Sequence, residues 1–501
     1  MTTLPPAPIA TAPVDPETIE AGTIEPGTIG AGVIELAAPR RLHVVGVGGP
    51  GMSAIAIALA EMGHAVSGSD LREHPVLERV RAAGVDVHVG HDRALVHGID
   101  AVTASSAIPR HNIELDEARR IGVTVLTRAG MLASICAQAR SLAVAGTHGK
   151  TTTTSMLMLI MAEAAMRPSF VIGGDVTDLG TGAQWTGSPW FVVEADESDG
   201  THLELPLHGT VLTNVEVDHL DHYGSFAGIV ESFDRFLGQI AGPKVVCGDD
   251  PTAAVLASRH GAITYGRSEG VDLRAVDITP TEGAFRFAIE RTDRQVEHLD
   301  AISPGHIIDV ELPLRGVHNV VNATGAAAMA LAVGVEPKHV ANALARFGGV
   351  ARRFDIRGVD RGATFVDDYG HLPSEIAAVL AAARSSGDHW SRVLAVFQPN
   401  RFNRIAEIWA DYADAFVDAD MVVLTDIYSS GTAPIPGVTG KLLVNAVTEA
   451  HPEQRVVWLP RRDDLVRFVA AEARPGDVWI SMGCGDIATF PTEVLDARRS
   501  G

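Results

Sequence analysis

The chain has 501 residues, of which 46% are hydrophobic, 5% are aromatic and 50 are glycine. This length exceeds what one core can organise and predicts about three domains, and the glycine content with few aromatic residues favours helices packed on sheets over a β-sandwich. The 62 acidic and 40 basic residues give a net charge of −22, which excludes unspecific binding to nucleic acid or to an anionic membrane surface.

The N-terminal segment is the part of the chain least able to form a core. It carries several prolines and repeated Thr-Ile-Glu or Val-Ile-Glu units, so we predict a disordered tail at 1–36. We expect no export signal, since no basic segment is followed by an apolar block, and the longest apolar stretch, 156–166, is too short to span a bilayer. The three cysteines lack metal-ligand spacing. We therefore expect a cytoplasmic protein without membrane insertion.

From residue 41 onward, short apolar runs alternate with helical patterns. The first runs lie at 42–47, 65–67, 85–89, 101–104 and 123–126. Runs of this length between helical segments predict parallel strands of a doubly wound sheet. We place this first domain at 37–138.

A glycine-rich turn, GVGGPG at 46–51, follows the first of these strands and precedes a predicted helix at 52–62. Asp70 ends the next strand. The pattern matches a dinucleotide fingerprint, in which glycines let a pyrophosphate approach the helix start and an acidic side chain meets a ribose hydroxyl. The same groups would hold any nucleoside diphosphate, so this motif leaves both NAD(P) and a UDP-linked sugar open.

The sequence VAGTHGKTT at 144–152 ends like a phosphate-binding loop but has valine where the usual pattern has its first glycine. A predicted strand at 141–145 leads into it and a predicted helix at 151–165 leads out. Such a turn directs backbone N–H groups and the positive end of a helix dipole at one point, where Lys150 adds a charge and Thr151 a hydroxyl for Mg²⁺. We predict a nucleoside triphosphate site; the alternative is an ordinary glycine turn. His148 can face a neighbouring domain instead of the nucleotide.

Further strands at 142–145, 191–193, 211–215 and 245–247 surround this loop, and 262–312 reads as an antiparallel elaboration of the same domain, placed at 139–348. Two acidic segments, EADESD at 194–199 and NVEVDHLD at 214–221, follow two of these strands. Carboxylates at this edge of a sheet are placed to coordinate Mg²⁺. We expect one carboxylate to bind the metal and most of the others to be caps or solvated loop residues.

A third set of strands at 364–366, 393–397, 421–425 and 478–481 follows a pair of glycines near 348, and we place this domain at 349–497. The segments DDYGH at 367–371 and QPNRFNR at 398–404 follow two of the strands. Arg401 and Arg404 share a helical face if a helix starts there, and two guanidinium groups can hold a carboxylate. This favours an acidic or amino-acid substrate; two exposed arginines are the alternative.

Taken in order, these motifs, with RRF at 352–354 and GCGD at 483–486, resemble the Mur ligase family over residues 40–490. The resemblance implies an α/β protein of three domains in series, with Rossmann-like N-terminal and C-terminal domains around a central ATPase domain of the P-loop type. It implies ATP-dependent ligation of L-alanine to the lactoyl carboxylate of UDP-N-acetylmuramate through an acyl phosphate, with Mg²⁺, in peptidoglycan synthesis. The first-domain glycines would then hold UDP. We expect a monomer or a homodimer.

The resemblance also implies roles for individual residues. For the UDP-sugar it implies Gly48, Gly49, Gly51, Met52, Ser53, Asp70 and Ser105. For ATP it implies Gly146, Thr147, His148, Gly149, Lys150, Thr151, Thr152, His318, Asn319 and Arg353. It assigns the amino acid to Tyr369, His371, Arg401 and Arg404, and metal ions to Thr151, Glu194 and His219. Catalysis is assigned to Lys150, His219, His371, Arg401 and Arg404.

Three positions in the third domain depart from the family pattern. Leu372 and Asn400 stand where the family usually has histidine, and Thr432 where it commonly has glutamate. Each replaces an ionisable group by a neutral one near the predicted amino-acid pocket, so glycine, serine or another small amine stays open as the acceptor. An oxidoreductase that uses 46–51 with Asp70, and a nucleotide-binding regulator without turnover, are the remaining alternatives.

Overall fold

The structure is a computed structural model that describes residues 32–500 except 106, 110 and 178. Residues 1–31 of the predicted tail lie outside the described residues. The rest of that segment lies along the first domain, where the Ile34 N–H donates to Ser134 Oγ at 3.0 Å and Leu36 is buried. The described part of the chain contains no helix that is both long enough and apolar enough to cross a membrane.

The first domain is a parallel sheet with helices on its faces. Its strands and helices are β1 Arg41–Val45, α1 Pro50–Glu61, β2 Ala65–Asp70, α2 Pro75–Ala82, β3 Asp86–Val89, β4 Ala101–Ala104, α3 Ile113–Ile121, β5 Thr124–Thr127 and α4 Arg128–Cys136. The strand order is β3-β2-β1-β4-β5, and every pair is parallel. The order reverses between β1 and β4, which is where doubly wound sheets bind ligands at the strands' carboxyl ends.

The middle domain is built on a longer, mixed sheet. Its elements are β6 Arg140–Ala145, α5 Lys150–Glu163, β7 Ser169–Val176, β8 Thr181–Gln184, β9 Trp190–Glu194, β10 Gly209–Leu212, α6 Leu220–Tyr223, α7 Phe226–Gly238, β11 Lys244–Cys247, α8 Pro251–His260, β12 Ile263–Gly266, β13 Leu273–Thr281, β14 Ala284–Arg291, β15 Gly305–Leu312, α9 Val317–Ala332 and α10 Pro337–Leu344. The order is β15-β14-β13-β12-β11-β10-β6-β9-β7-β8. β6 is central, so the loop after it lies in the middle of the sheet edge.

The third domain is again a largely parallel sheet. Its elements are β16 Asp355–Asp360, β17 Ala363–Asp368, α11 Pro373–Ser385, β18 Arg392–Phe397, α12 Phe402–Ile408, β19 Met421–Leu424, α13 Lys441–Ala450, β20 Val456–Trp458, α14 Arg462–Glu472, β21 Asp477–Met482 and α15 Phe490–Ser500. The order is β16-β17-β21-β18-β19-β20, and within it β16 pairs antiparallel with β17. Short single-turn helices at Arg93–Val96, Thr201–Glu204, Trp409–Tyr412 and Asp486–Thr489 complete the described elements.

These sheets confirm the predicted α/β class with three domains. The predicted antiparallel region at 262–312 continues the middle sheet through β13, β14 and β15, whereas β12 pairs in parallel with β11. The sequence did not predict β7, β8, β16 or β20. β7 includes Gly173 and Gly174, and glycine is depleted in strands, so its propensity signal is weak.

Helix α5 follows the predicted phosphate loop and is buried on nearly every side. It packs against β6, β7 and β9 and, on its other face, against α9 and α10. Its hydroxyl groups can be buried because they bond within the helix: Thr154 Oγ1 donates to the Lys150 carbonyl at 2.7 Å and Ser155 Oγ to the Thr151 carbonyl at 2.8 Å. The start of the helix, and with it the loop, is therefore held in place by the core of the domain.

Shortening a buried side chain of α5 tests how firmly the core holds this helix. Ile160 lies on α5 and is fully buried in the core of the domain, so Ile160→Ala is expected to lower the free energy of unfolding by about 2–5 kcal/mol. Val255 on α8 is 38% exposed, and Val255→Ala should change it by less than about 0.5 kcal/mol. Denaturant unfolding of the two variants beside the parent measures both; equal midpoints for all three proteins would contradict the packing described here.

Candidate active site

A cleft of about 670 Å³ lies where the three domains meet. It is lined by residues of each domain, and twelve of them are predicted site residues: Gly51, Ser53, Thr147, Lys150, Thr151, Glu194, His219, Arg353, Tyr369, His371, Arg401 and Arg404. The structure thus brings together side chains that are up to 353 residues apart in the chain, from Gly51 to Arg404. We interpret this cleft as the candidate active site.

The phosphate loop joins β6 to α5 and depends on two glycines. Gly146 has φ +124°, and a β-carbon there would lie 2.2 Å from Thr213 Oγ1. Gly149 has φ +79°, and a β-carbon there would lie 2.7 Å from Asn322 Oδ1. Val144, at the place of the usual first glycine, is a fully buried residue of β6. The loop lacks the usual first glycine because strand β6 includes Val144 and extends to Ala145, directly before Gly146.

Lys150 is the first residue of α5 and turns back over the loop. Its Nζ donates to the carbonyls of Gly146 at 2.7 Å and Thr147 at 3.0 Å, and it lies 2.9 Å from the Glu197 carboxylate. Burial acts to lower the pKa of Lys150, but the charges of Glu197 and Asp196 outweigh it and raise that pKa above its usual value. Lys150 is therefore a permanent cation, suited to neutralise phosphate and unsuited to act as a base.

The predicted magnesium ligands Thr151 and Glu194 lie next to Lys150. Thr151 Oγ1 donates to Glu194 Oε1 at 3.2 Å, and the other oxygen of Glu194 accepts from the Gly173 N–H at 2.9 Å. No group of three or more His, Cys, Asp or Glu side chains that could enclose a metal occurs within the described residues. A magnesium ion shared with nucleotide phosphates takes few protein ligands, so one hydroxyl and one carboxylate fit such an ion.

His219 stands at the other side of the cleft. Its Nε2 lies 3.1 Å from Asp218 Oδ2, which leaves Nδ1 as the nitrogen able to bind a metal. Burial lowers the pKa of His219, with Asp218 opposing that shift and Arg404 adding to it, so the imidazole is neutral near pH 7, as a metal ligand must be. The role of His219 in binding a second metal stays a prediction.

The two arginines of the third domain differ in their surroundings. Helix α12 begins at Phe402, so Arg401 precedes the helix and does not share a helical face with Arg404. Arg404 is buried and donates from NH2 to Asp218 Oδ1 at 2.9 Å, across the boundary to the middle domain. Its NH1 donates to Asn400 Oδ1 at 3.0 Å. Arg401 lines the cleft.

Tyr369 and His371 lie at the end of β17, as their motif predicts. The guanidinium carbons of Arg352 and Arg353 each lie 5.2 Å from the centre of the Tyr369 ring, a cation–π arrangement that holds the ring. The rings of Tyr369 and His371 are 5.5 Å apart, and Tyr412 Oη donates to the His371 carbonyl at 2.7 Å. Aromatic and cationic groups therefore form the third-domain wall of the cleft.

In the first domain the predicted residues mainly shape the glycine loop. Asp70 Oδ2 accepts from the Gly48 N–H at 2.9 Å, and the Met52 side chain is buried in the domain core. Ser105 Oγ, at the end of β4, accepts from the Ala107 N–H at 3.3 Å. The roles of Asp70, Met52 and Ser105 in binding the UDP-sugar stay predictions, and the backbone N–H groups before α1 are what this loop offers to a pyrophosphate.

Several residues predicted to bind ATP do not line the cleft. His148 Nδ1 lies 3.1 Å from Glu375 Oε1 of the third domain, so this side chain faces the neighbouring domain. His318 is exposed, and Asn319 donates to the Arg315 carbonyl at 2.8 Å. Asn319 reaches the loop through Asn322, whose Nδ2 donates to Asn319 Oδ1 at 3.3 Å. Thr152 is buried behind the loop.

Sequence reasoning missed some residues that shape the cleft. Arg128 lines the cleft and donates from NH2 to Asp196 at 2.8 Å and Asp199 at 2.9 Å, although nothing in its local sequence marks it. Glu375 lies in the first turn of α11, where a carboxylate signals a helix cap but not a contact between domains. Glu197 lies in the acidic segment at 194–199, where the sequence predicts Glu194 as the ligand and gives no signal for Glu197.

The three departures from the family pattern each have a structural partner. Leu372 is buried and its N–H donates to Glu375 Oε2 at 3.1 Å. Asn400 is buried and accepts from Arg404, as described above. Thr432 Oγ1 accepts from the Phe402 N–H at 2.9 Å and so caps α12. Asn400 lines the cleft, whereas Leu372 is a buried core residue and Thr432 caps α12.

The chain matches three family models in sequence order. Residues 41–140 match the Mur ligase family catalytic domain, 144–330 the Mur ligase middle domain and 352–485 the Mur ligase glutamate ligase domain.

Named relatives agree with these matches. A UDP-N-acetylmuramate–L-alanine ligase of Acidothermus cellulolyticus is 43% identical over 467 residues, covering 92% of this chain and 95% of the relative. One from Bradyrhizobium sp. strain ORS 278 is 41% identical over 454 residues, covering 90% and 96%. The crystal structure of UDP-N-acetylmuramate–alanine ligase from Thermotoga maritima has a TM-score of 0.76 at 25% identity, covering 92% of this chain and 99% of that one. The resemblance inferred from the motifs is confirmed: the chain belongs to the Mur ligase family.

Proposed function

We propose that this chain ligates L-alanine to the lactoyl carboxylate of UDP-N-acetylmuramate in peptidoglycan synthesis, and that ATP is converted to ADP and phosphate. The observation that carries the proposal is the cleft itself, in which the phosphate loop of the middle domain faces His371 and Arg401 across the space reached by the first-domain glycine loop. The named relatives, similar over at least nine-tenths of the chain, support the same reaction. ATP and a nucleotide sugar as substrates support a cytoplasmic location.

The chemistry requires activation before ligation. A carboxylate is a poor acyl donor, because oxide is a poor leaving group. Transfer of the γ-phosphoryl group of ATP to the lactoyl carboxylate gives an acyl phosphate, whose phosphate is a good leaving group. The amine of L-alanine then attacks the acyl carbon, and the tetrahedral intermediate expels phosphate to leave the amide. Each step develops negative charge on phosphoryl or acyl oxygens, which the cations lining the cleft offset.

Residues of the middle domain serve the first step. Lys150 neutralises charge on the transferring phosphoryl group, and its ion pair with Glu197 holds it at the loop. Thr151 and Glu194 would hold Mg²⁺, which when bound would act as a Lewis acid and offset negative charge on the transferring phosphoryl group. Arg353, from the third domain, lines the same cleft, and we assign it to a phosphate group of ATP.

Residues of the third domain serve the second step. Arg401 is the guanidinium that we assign to the carboxylate of the incoming amino acid, with Arg404 behind it on Asp218. His371 turns Nδ1 toward the Tyr369 carbonyl at 3.2 Å, so its Nε2 is the nitrogen that can take the proton of the attacking amine. Tyr369 forms the wall between these groups.

A second acceptor is favoured by a specific observation. Leu372, Asn400 and Thr432 place neutral groups around the amino-acid pocket where the family pattern has ionisable ones. The amide oxygen of Asn400 accepts a hydrogen bond from Arg404, so this contact needs no charged or titratable side chain at position 400. Glycine or serine as the acceptor is therefore the alternative that the acceptor assay must include.

Phosphate release measured with every combination of substrates tests the ligase. Release is expected when ATP, UDP-N-acetylmuramate and one amino acid are all present. Lys150→Ala should lower kcat by at least about 100-fold, because one cation on the transferring phosphoryl group is lost. Lys338→Ala changes an exposed lysine on α10 and is expected to leave kcat unchanged. Absence of release with every acceptor, or NADH binding with no response to the sugar nucleotide, would overturn the proposal.

Substitution at Thr151 tests the metal site. Thr151→Ser keeps the hydroxyl and should keep near-parent activity, whereas Thr151→Val removes the oxygen and should raise the Mg²⁺ concentration for half-maximal rate about tenfold or more. Titration of magnesium at fixed ATP measures the shift. Identical magnesium curves for the two variants would show that this hydroxyl is no ligand.

Restoring the family residues tests acceptor choice. Leu372→His and Asn400→His, alone and together, should change the ratio of kcat/KM for L-alanine to that for glycine or serine by about tenfold, a difference of roughly 1.4 kcal/mol. The KM values for ATP and UDP-N-acetylmuramate should stay within about twofold, since the phosphate loop and the first-domain glycine loop that we assign to them lie on other domains. Val417→Ala, at an exposed position of the third domain, is the control. Unchanged acceptor ratios would show that these residues do not set the preference.

A further inference from the structure

One carboxylate in the third domain contacts both sides of the cleft. Glu375 Oε2 accepts from the backbone N–H groups of His371 at 2.8 Å and Leu372 at 3.1 Å, and it lies 3.2 Å from His371 Nδ1. The other oxygen, Oε1, lies 3.1 Å from Nδ1 of His148 in the phosphate loop. Glu375 therefore bonds the backbone and ring of His371 with one oxygen and the nucleotide-binding loop with the other.

Two more groups, Glu216 and Ser374, complete the contact around His148 of the phosphate loop. His148 Nε2 lies 3.3 Å from Glu216 Oε2 of the middle domain, and Ser374 Oγ donates to that same carboxylate oxygen at 2.7 Å. The His148 ring thus lies between the Glu216 carboxylate of the middle domain and the Glu375 carboxylate in the first turn of α11. The side chains of His148 and Glu375 are only 14% and 11% exposed, so water competes weakly for these bonds.

The charges of the two groups favour the contact. Burial acts to lower the pKa of His148, but Glu216 and Glu375 outweigh it and raise that pKa to about 9, so the imidazole is protonated at neutral pH. Burial acts to raise the pKa of Glu375, but His371 and His148 hold it well below its usual range. Arg353 NH1, 3.9 Å from Glu375 Oε1, adds a further positive charge. The contact is an ion pair inside the protein, between domains.

We propose that Glu375 is a positioning residue that sets His371 and the phosphate loop at a fixed distance, so that phosphoryl transfer and amine attack take place in one geometry. This inference rests on the proposed function for its kinetic consequence. Misplacement of reacting groups by about 1 Å can cost a factor of about 100 in rate, so a single tie across the domain boundary is enough to affect catalysis. Glu375 acts through His371 and His148 and is not itself assigned to a substrate.

A plain helix cap is the competing explanation for Glu375. A cap stabilises α11 and acts on nothing in the middle domain, whereas a positioning residue must affect the loop, where its partner His148 is 227 residues away. Glu375→Gln separates the two, because glutamine has the same size and its oxygen still accepts from the backbone N–H groups, but the charge that pairs with His148 is gone. Asn112→Ala provides a matched control, since Asn112 Oδ1 caps α3 in the first domain by accepting from Glu114 and Leu115 N–H groups.

The first measurement is amide hydrogen exchange of the full-length variants without substrates. Exchange within the loop at 144–152 is expected to be about tenfold faster in Glu375→Gln than in the parent, with no change there in Asn112→Ala. Thermal unfolding checks that both variants fold. If the loop amides of Glu375→Gln exchange at the same rate as those of the parent, the proposal is overturned, whether or not the chain proves to be a ligase.

The second measurement is steady-state kinetics with ATP, UDP-N-acetylmuramate and the acceptor. Glu375→Gln should lower kcat about tenfold or more while KM for UDP-N-acetylmuramate stays within about twofold, since that substrate binds the first domain. Glu375→Gln and His148→Gln together should cost less than the sum of the two single effects, as for groups in contact. Additive losses, or equal losses in KM and kcat for all substrates, would contradict a positioning role. An inactive parent would sink the proposed function alone, and the loop-exchange result would still decide on Glu375.

Discussion

The buried ammonium group of Lys150 is the charge around which the cleft is organised. A cation in this position is stable only if nearby groups replace its lost hydration, and two loop carbonyls with the Glu197 carboxylate do so. Phosphate oxygens of a nucleotide can take over these bonds, because they offer the same acceptor chemistry with more negative charge. The loop before α5 and the acidic segment after β9 therefore both contribute bonds to this group.

Charge pairs across domain boundaries extend this arrangement to the whole cleft. Arg128 of the first domain pairs with Asp196 of the middle domain, and Arg404 of the third domain pairs with Asp218 of the middle domain. Both arginines are largely buried, so the pairs are poorly screened by solvent and fix the relative placement of the elements that carry them. Arg128 and Arg404 also line the cleft, so the groups that hold the domains together are part of its wall.

The third domain shows how a family site tolerates change. The neutral residues at 372, 400 and 432 are not gaps in the pocket, since each bonds a neighbour: Leu372 through its N–H to Glu375, Asn400 to Arg404 and Thr432 to the first turn of α12. A polar group that is buried must find such a partner, and the amide and the hydroxyl do so without carrying a charge. The residues at these three positions are thus bonded to their neighbours without an ionisable side chain of their own.

The sequence by itself determined the α/β class, the three-domain order, the family and the residues of the local motifs, because these depend on the spacing of glycines, apolar runs and charged residues within short segments. The phosphate loop is such a case: Gly146, Gly149 and Lys150 were predicted from a few adjacent residues. Only the tertiary structure decided what those residues face. Asp70 turned out to bind the glycine loop, His148 to bind Glu375, and Arg404 to bind Asp218, because each contact joins segments tens to hundreds of residues apart. No local pattern encodes such a contact; it exists only once the sheets have set where their loops meet.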